Sequence, residues 1–175
     1  MLKGSILDVY PDNKKNVMVT WLAGNGRPVK IEEKYQPSFY VYSKTENIYT
    51  LASLLRDLPQ IDRQNFTTKK LTLGSEKKKF VLEVFPKKLK DFRKVSEMID
   101  SWGGYYRYQL YDVDLRLSTR YLQDRGVFCN AEVRWDGKQF FCDEDQWNID
   151  FEIPAYTKTK LSIQRKTKSL SLIHI

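Results

Sequence analysis

The sequence predicts an α+β protein: an N-terminal antiparallel β meander, a β-α-β-β-α-β unit over residues 38–111, and a C-terminal β-hairpin region. Three observations predict it. The first forty residues are runs of β-branched and aromatic residues separated by turn clusters, without helical periodicity. Between 38 and 111, two apolar stripes at helical spacing alternate with strand-like segments. Near residue 136 an Asp-Gly pair separates two short apolar segments, the composition that favours a tight hairpin.

In chain order, Ser5–Tyr10 reads as a strand ended by the turn cluster Pro11-Asp12-Asn13. Val17–Ala23 is a second strand, and Gly24-Asn25-Gly26 turns it into a third at Val29–Lys34, with Val29, Ile31 and Glu33 on one face. Ser38–Tyr42 alternates as a strand. Glu46–Leu58 places Ile48, Leu51, Leu55 and Leu58 on one helical stripe, stopped by Pro59. Phe66–Leu73 and Phe80–Phe85 are strands flanking Gly74-Ser75. Pro86 suits the first turn of a helix, which Leu89, Phe92, Val95, Ser96 and Ile99 continue up to Gly103-Gly104. Tyr105–Tyr111 is a further strand. The order over 38–111 is the ferredoxin-like split βαβ arrangement, with the short connections it needs. Asp114–Arg125 is expected as a short helix capped by Gly126. Ala131–Trp135 and Gln139–Cys142 form the hairpin around Asp136-Gly137, and Asn148–Ile153 is a last strand.

Charge narrows the function. Across 175 residues, 30 Lys and Arg stand against 22 Asp and Glu, a net charge of +8, and 14% of residues are aromatic. Cations for phosphates and ring faces for bases are what single-stranded nucleic acid needs; a basic soluble domain with a well-filled core has the same composition. The charge is uneven: from Ile153 to Ile175 there is no Asp or Glu, while Lys158, Lys160, Arg165, Lys166 and Lys168 supply five positive charges. The run Glu76-Lys77-Lys78-Lys79 reads as a solvated turn. No apolar run reaches the roughly 18 residues of a membrane helix, and no apolar stretch follows the N-terminal basic residue as in a signal peptide. Cytoplasm is the expected compartment, and no membrane partner is expected.

Common catalytic constellations are missing. The single histidine, His174, is next to last, which leaves no basis for a His-based hydrolase or metal site. Cys129 and Cys142 make neither a disulfide framework nor, alone, a zinc site. Asp143-Glu144-Asp145 could offer carboxylates to a hard cation, but consecutive acids point apart and fit a solvated loop better. The third strand of the β-α-β-β-α-β unit has Phe80-Val81 without the glycine-aromatic core of an RNA-recognition motif.

Longer patterns resemble a known family. Ser5-Ile6-Leu7-Asp8-Val9-Tyr10 followed by Tyr35-Gln36-Pro37-Ser38-Phe39-Tyr40-Val41-Tyr42 is similar to the opening of archaeal-type family B DNA polymerases, where an I-L-D strand precedes F-x-P-Y-F-Y. Tyr111-Asp112-Val113-Asp114-Leu115 and Thr119–Gly126 resemble that family's Y-D-I-P-F-x-x-R-Y-L-I-D-K-G. Trp147–Pro154 resembles the D-Y-E-I-P-P-L that leads into its exonuclease domain. The motifs occur in family order and span essentially the whole chain.

The resemblance implies that residues 1–153 are a polymerase N-terminal domain, non-catalytic, packed beside the exonuclease domain and guiding single-stranded template DNA. Residues 154–175 would match the start of that exonuclease domain. Expected partners are single-stranded or template DNA and the remaining polymerase domains or subunits. No cofactor is expected in this chain, although the parent polymerase would use Mg²⁺. At the family's F-D-I-E metal motif this sequence has Leu161-Ser162-Ile163-Gln164, and a hydroxyl and an amide are poor replacements for two carboxylates. Archaeal members also capture template uracil in a pocket. The matching positions are Tyr10 or Pro11, Pro37, Ser38, Pro86, Leu89, Leu115, Arg116 and Leu117. Pro37 and Pro86 are kept, whereas Ser38 replaces an aromatic and Arg116 a proline, so the pocket is expected in altered form or not at all. Arg116 and Arg120 join the five basic residues of 158–168 as candidate DNA-binding residues.

Two other functions fit the same sequence: a free-standing RNA-binding β-α-β-β-α-β module, favoured by aromatics exposed on the sheet face, and a protein-interaction scaffold. A basic groove between the meander and the β-α-β-β-α-β unit would favour the polymerase-type domain. The isolated chain is predicted to degrade no labelled single strand in Mg²⁺ and to extend no primer; EDTA-sensitive degradation by pure protein would refute this.

Overall fold

The computed structural model describes residues 1–142 except 25, 26, 46, 73 and 75. Nine strands and three helices are formed among them: β1 Leu2–Asp12, β2 Val17–Ala23, β3 Pro28–Glu33, β4 Phe39–Ser43, α1 Ile48–Arg56, β5 Ile61–Lys69, β6 Lys79–Pro86, α2 Asp91–Trp102, β7 Tyr108–Tyr111, α3 Leu117–Asp124, β8 Glu132–Trp135 and β9 Phe140–Cys142. They make two antiparallel sheets. The first has the order β3-β2-β1-β8-β9, and the second β5-β6-β4-β7. The second is the ferredoxin-like order expected for residues 38–111. The strand expected at Asn148–Ile153 lies outside the described residues. No helix among the described residues is long and apolar enough to cross a membrane.

Both helical stripes pack on one face of the second sheet. Ile48, Leu51, Ala52 and Leu55 of α1 and Phe92, Val95 and Ile99 of α2 share a core with Phe39, Val41, Leu82, Val84 and Tyr108. Alternation in the strands places those sheet residues on a common face, and two amphipathic helices cover it. Asn47 caps α1: its Oδ1 accepts from the Tyr49 N–H at 2.9 Å.

Pro86 is not in a helix. It ends β6, paired with Ile61, where a residue without an N–H closes a ladder at little cost. α2 starts five residues later at Asp91. Leu89 keeps helical spacing with Phe92 yet points elsewhere, into the core beneath the first sheet. Its N–H donates to Asn16 Oδ1 at 2.8 Å, so the β1–β2 turn is pinned to the segment between β6 and α2. Asn16 holds a left-handed backbone, φ 57°, a conformation that asparagine tolerates.

The meander and the hairpin form one sheet rather than two separate regions. β8 pairs with the start of β1, from Leu2↔Trp135 to Ser5↔Glu132, and Asp136 accepts from the N–H groups of Lys138 and Gln139 in the turn to β9. Gly4, paired with Val133 of β8, also permits the close packing of β1 on β2. A Cβ there would stand 2.2 Å from the Ala23 carbonyl oxygen, so the backbones of β1 and β2 approach only because position 4 has no side chain. β1 also runs past Pro11 to Asp12, whose Oδ1 accepts from Lys14 and Lys15 N–H and makes the turn that the cluster predicts slightly earlier.

Among the described residues α3 is the helix that covers the inner face of the first sheet. Tyr121, Leu122 and Val127 pack with Ile6, Met18, Leu22, Ile31, Val133 and Phe140. The helix ends as its sequence suggests. Gly126 sits at φ 64°, its N–H donates to the Gln123 carbonyl, and the Val127 N–H reaches back to Leu122. The Tyr121 hydroxyl donates to Glu33, which also accepts from Arg125 at 3.1 Å. On the neighbouring turn the Tyr35 hydroxyl donates to Asp124 at 2.5 Å, and the Tyr35 and Tyr121 rings meet edge to face, 5.3 Å between centroids.

Burial first, then the bond to Glu33, raises the Tyr121 phenol above its ordinary value. Burial and Asp124 do the same for Tyr35. A raised folded-state value leaves stability unchanged below the unfolded phenol value of about 10 and erodes it as pH rises further. Denaturant unfolding at stepped alkaline pH is expected to show this fall. Tyr121→Phe is expected to cost about 1.5–3 kcal/mol at neutral pH, because a bond to a charged acceptor is lost, and to reduce the alkaline fall.

Candidate nucleic-acid interface

The topology of the second sheet gathers aromatic and basic residues at one of its ends. β4 and β5 finish there, β6 and β7 start there, α1 begins there and α2 ends there. Tyr49 lies in the first turn of α1 and Trp102 in the last of α2. Phe66 and Phe80 lie at the ends of β5 and β6 nearest their connection, and Tyr105 and Tyr106 in the turn before β7. All six are exposed; among the described residues the remaining exposed aromatic is Tyr10. Tyr105 is 75% exposed and holds φ 64° directly after Gly104 at φ 59°, a left-handed pair that projects the turn. Residues 66–80, the facing ends of β5 and β6 with their connection, form an arm that holds five lysines, at 69, 70, 77, 78 and 79, and one carboxylate, Glu76. The charge run at 76–79 thus leads into the strand end that carries Phe80, opposite the end of β5 that carries Phe66.

The face of this sheet opposite the helices carries aromatics too, but its own cations cover them. The Arg63 guanidinium sits 4.1 Å from the Phe85 ring centroid, Lys69 Nζ 4.6 Å from that of Tyr40, and Lys79 Nζ 5.8 Å from that of Tyr42. Hydrogen bonding to Tyr40 raises the Lys69 ammonium above its usual value. Beside this row lies a cavity of about 760 Å³ lined by Tyr40, Lys69, Lys70, Tyr111, Arg120 and Asp124, among others. Rings already occupied by cations are not a free platform for bases, so this face does not present the exposed aromatics that the RNA-module alternative calls for.

The residues matched to the uracil pocket are only partly brought together. Pro11, Leu89, Leu115, Arg116 and Leu117 line one cavity of about 600 Å³ with residues of α2. Tyr10, Pro37, Ser38 and Pro86 do not line it. Tyr10 accepts from the Trp21 indole at 3.3 Å, Ser38 donates to Glu83 at 2.8 Å, and Pro37 and Pro86 are buried. The cavity lies between the end of β1 and the second sheet's α2, where a basic groove would favour the polymerase-type domain. Its charges are instead mixed: Arg93 and Arg116 against Glu97, Asp100 and Asp114.

Of the candidate DNA-binding residues, Arg120 is buried. Its guanidinium donates to the Asp112 carbonyl at 3.0 Å and lies 4.0 Å from Asp124, which makes it part of the framework that holds α3. Arg116 is the residue preceding α3, at the cavity. Lys158, Lys160, Arg165, Lys166 and Lys168 lie outside the described residues, as do Asp143-Glu144-Asp145, Leu161–Gln164 and His174. Among the described residues, no three His, Cys, Asp or Glu side chains group so as to hold a metal ion.

No protein-family model and no curated protein matches the chain. A solved structure does: the family B DNA polymerase from the hyperthermophilic archaeon Pyrobaculum calidifontis, with 22% identity and a TM-score of 0.57. The likeness is one of fold. It covers 76% of this chain and 17% of the polymerase chain, so the shared architecture is a fraction of a much larger molecule.

Proposed function

We propose that the chain is the non-catalytic N-terminal domain of a family B DNA-directed DNA polymerase, or of a relative with an altered exonuclease, and that it handles single-stranded template DNA in replication or repair. The observation that carries this is the fold likeness to an archaeal family B polymerase over 76% of the chain. The polymerase-like segments of the sequence, in family order, support it. The basic and aromatic end of the second sheet supports the DNA-handling part, because cations there can follow phosphates while rings face the bases. In this proposal the other partners are the remaining polymerase domains, and the parent's Mg²⁺ chemistry belongs to them.

Binding of the full chain to a fluorescent single-stranded oligonucleotide tests the proposal. Weak affinity with little sequence preference is expected. If three to five phosphates are neutralised, log K falls with log salt at a slope of roughly −2 to −3.5, from about −0.7 per phosphate. Replacing Lys69, Lys70, Lys77, Lys78 and Lys79 with Gln is expected to flatten that slope. The same exchange at Lys158, Lys160, Arg165, Lys166 and Lys168 separates a binding segment, which lowers affinity and slope, from a solubilising one, which leaves both unchanged. Absence of binding at low salt would overturn the DNA-handling role.

A further inference from the structure

We infer that Tyr49, Phe66 and Phe80 form a stacking platform for the unpaired bases of a nucleic-acid strand, with Lys70, Lys77 and Lys78 of the β5–β6 connection holding its phosphates. This rests on the single-strand function proposed above and locates its base-binding surface. The three rings are contiguous. Tyr49 lies 4.7 Å from Phe66 and 6.0 Å from Phe80, centroid to centroid, and Phe66 and Phe80 lie 5.4 Å apart with their planes within 6° of parallel.

The register explains why these rings are in solvent. Phe66 is opposite Leu82 and Phe80 is opposite Thr68, so both phenylalanines project from the same face as the buried Leu82 and Val84. α1 packs in the core with Leu82 and Val84, but it begins at Ile48, and its first-turn Tyr49 reaches Phe66 and Phe80 without burying them. Phe66 remains 41%, Phe80 43% and Tyr49 55% exposed. A folding core has no need of three clustered rings at that exposure, and contiguous exposed apolar surface marks interaction sites.

The surrounding charge selects the partner. Lys69 and Lys79 turn to the opposite face, over Tyr40 and Tyr42, so the cations that border Phe66 and Phe80 are those of the connection, Lys70, Lys77 and Lys78. Flat rings bordered by cations match a strand whose bases are unstacked and whose phosphates lie alongside, and the ring faces accept any base. An acidic or apolar protein surface would satisfy the cations or the rings, but not both in this alternation. The opposite face of the sheet offers no equivalent, because Arg63, Lys69 and Lys79 already lie over its rings.

The test compares an oligothymidylate with an abasic oligomer of equal length, which keeps the phosphates and removes the bases, on the full chain at low salt. Native protein is expected to prefer the oligothymidylate by about fivefold or more. Phe66→Ala with Phe80→Ala is expected to abolish that preference while leaving the salt slope unchanged. Phe66→Tyr with Phe80→Tyr, which keeps the rings, is expected to retain it. Thermal unfolding of each variant shows whether the fold persists. A preference that survives in the alanine variant overturns the platform. Equal, salt-sensitive binding of both oligomers by native protein also overturns it, while leaving the single-strand function standing. Failure to bind either oligomer overturns that function and the inference with it.

Discussion

Among the described residues the first sheet has five strands and one short helix to cover them. That imbalance governs the rest of the structure. Two helices share the second sheet's inner face, whereas α3 must seal the first with eight residues. It does so with a fully buried tyrosine, with Leu122, and with Val127 just past its end, and by drawing Leu89 in from the segment before α2. Leu117 packs against both cores, so the start of α3 is where the two units meet. The same helix fixes its orientation through Glu33, Tyr121 and Arg125 on one side and Tyr35, Asp124 and Arg120 on the other. Removing one partner of such a network leaves a buried polar group without its bond, which is costlier than never having buried it.

Much of this is legible in the sequence, for identifiable reasons. The β-α-β-β-α-β order shows because both helical stripes are strongly periodic and each is followed by a short connection. The hairpin at Asp136-Gly137 and the helix end at Gly126 show because turn chemistry is local. The joining of meander and hairpin does not show, because Leu2 and Trp135 are paired across almost the entire described chain. Pro86 misleads because it suits a helix start as well as a strand end, and only the β5 register decides. Arg120 reads as an available cation, but the burial that removes it from solvent depends on Asp112 and Asp124 being folded around it.

The candidate interface is illegible for a different reason. Phe66 and Phe80 look like interior strand residues, and nothing nearby announces that only the first turn of α1 reaches them and leaves both exposed. Trp102, Tyr105 and Tyr106 are distant from them in sequence and reach the same end only through the crossover topology. What the sequence does carry is the run at 76–79, whose three lysines mark where the strand pair leaves the core. Cations there serve two faces of one sheet: on one they cover rings, on the other they border them. The difference between an occupied and an open aromatic surface is set by strand parity alone, since neighbouring residues of β6 point to opposite sides.

The second sheet is also an insertion within the first. β3 ends at Glu33 and β8 begins at Glu132, and the whole β4–β7 unit lies between them. Pairing β1 with β8 therefore closes a very long loop if the intervening chain is unfolded, and loop closure is disfavoured more as the loop lengthens. Once the inserted unit has collapsed on its own contiguous contacts, its two ends are held and the remaining closure is short. Assembly thus has a natural sequence, with the inserted unit preceding completion of the sheet that surrounds it. Gly4 lies at the last junction to form, where β8 meets a β1 already pressed against β2.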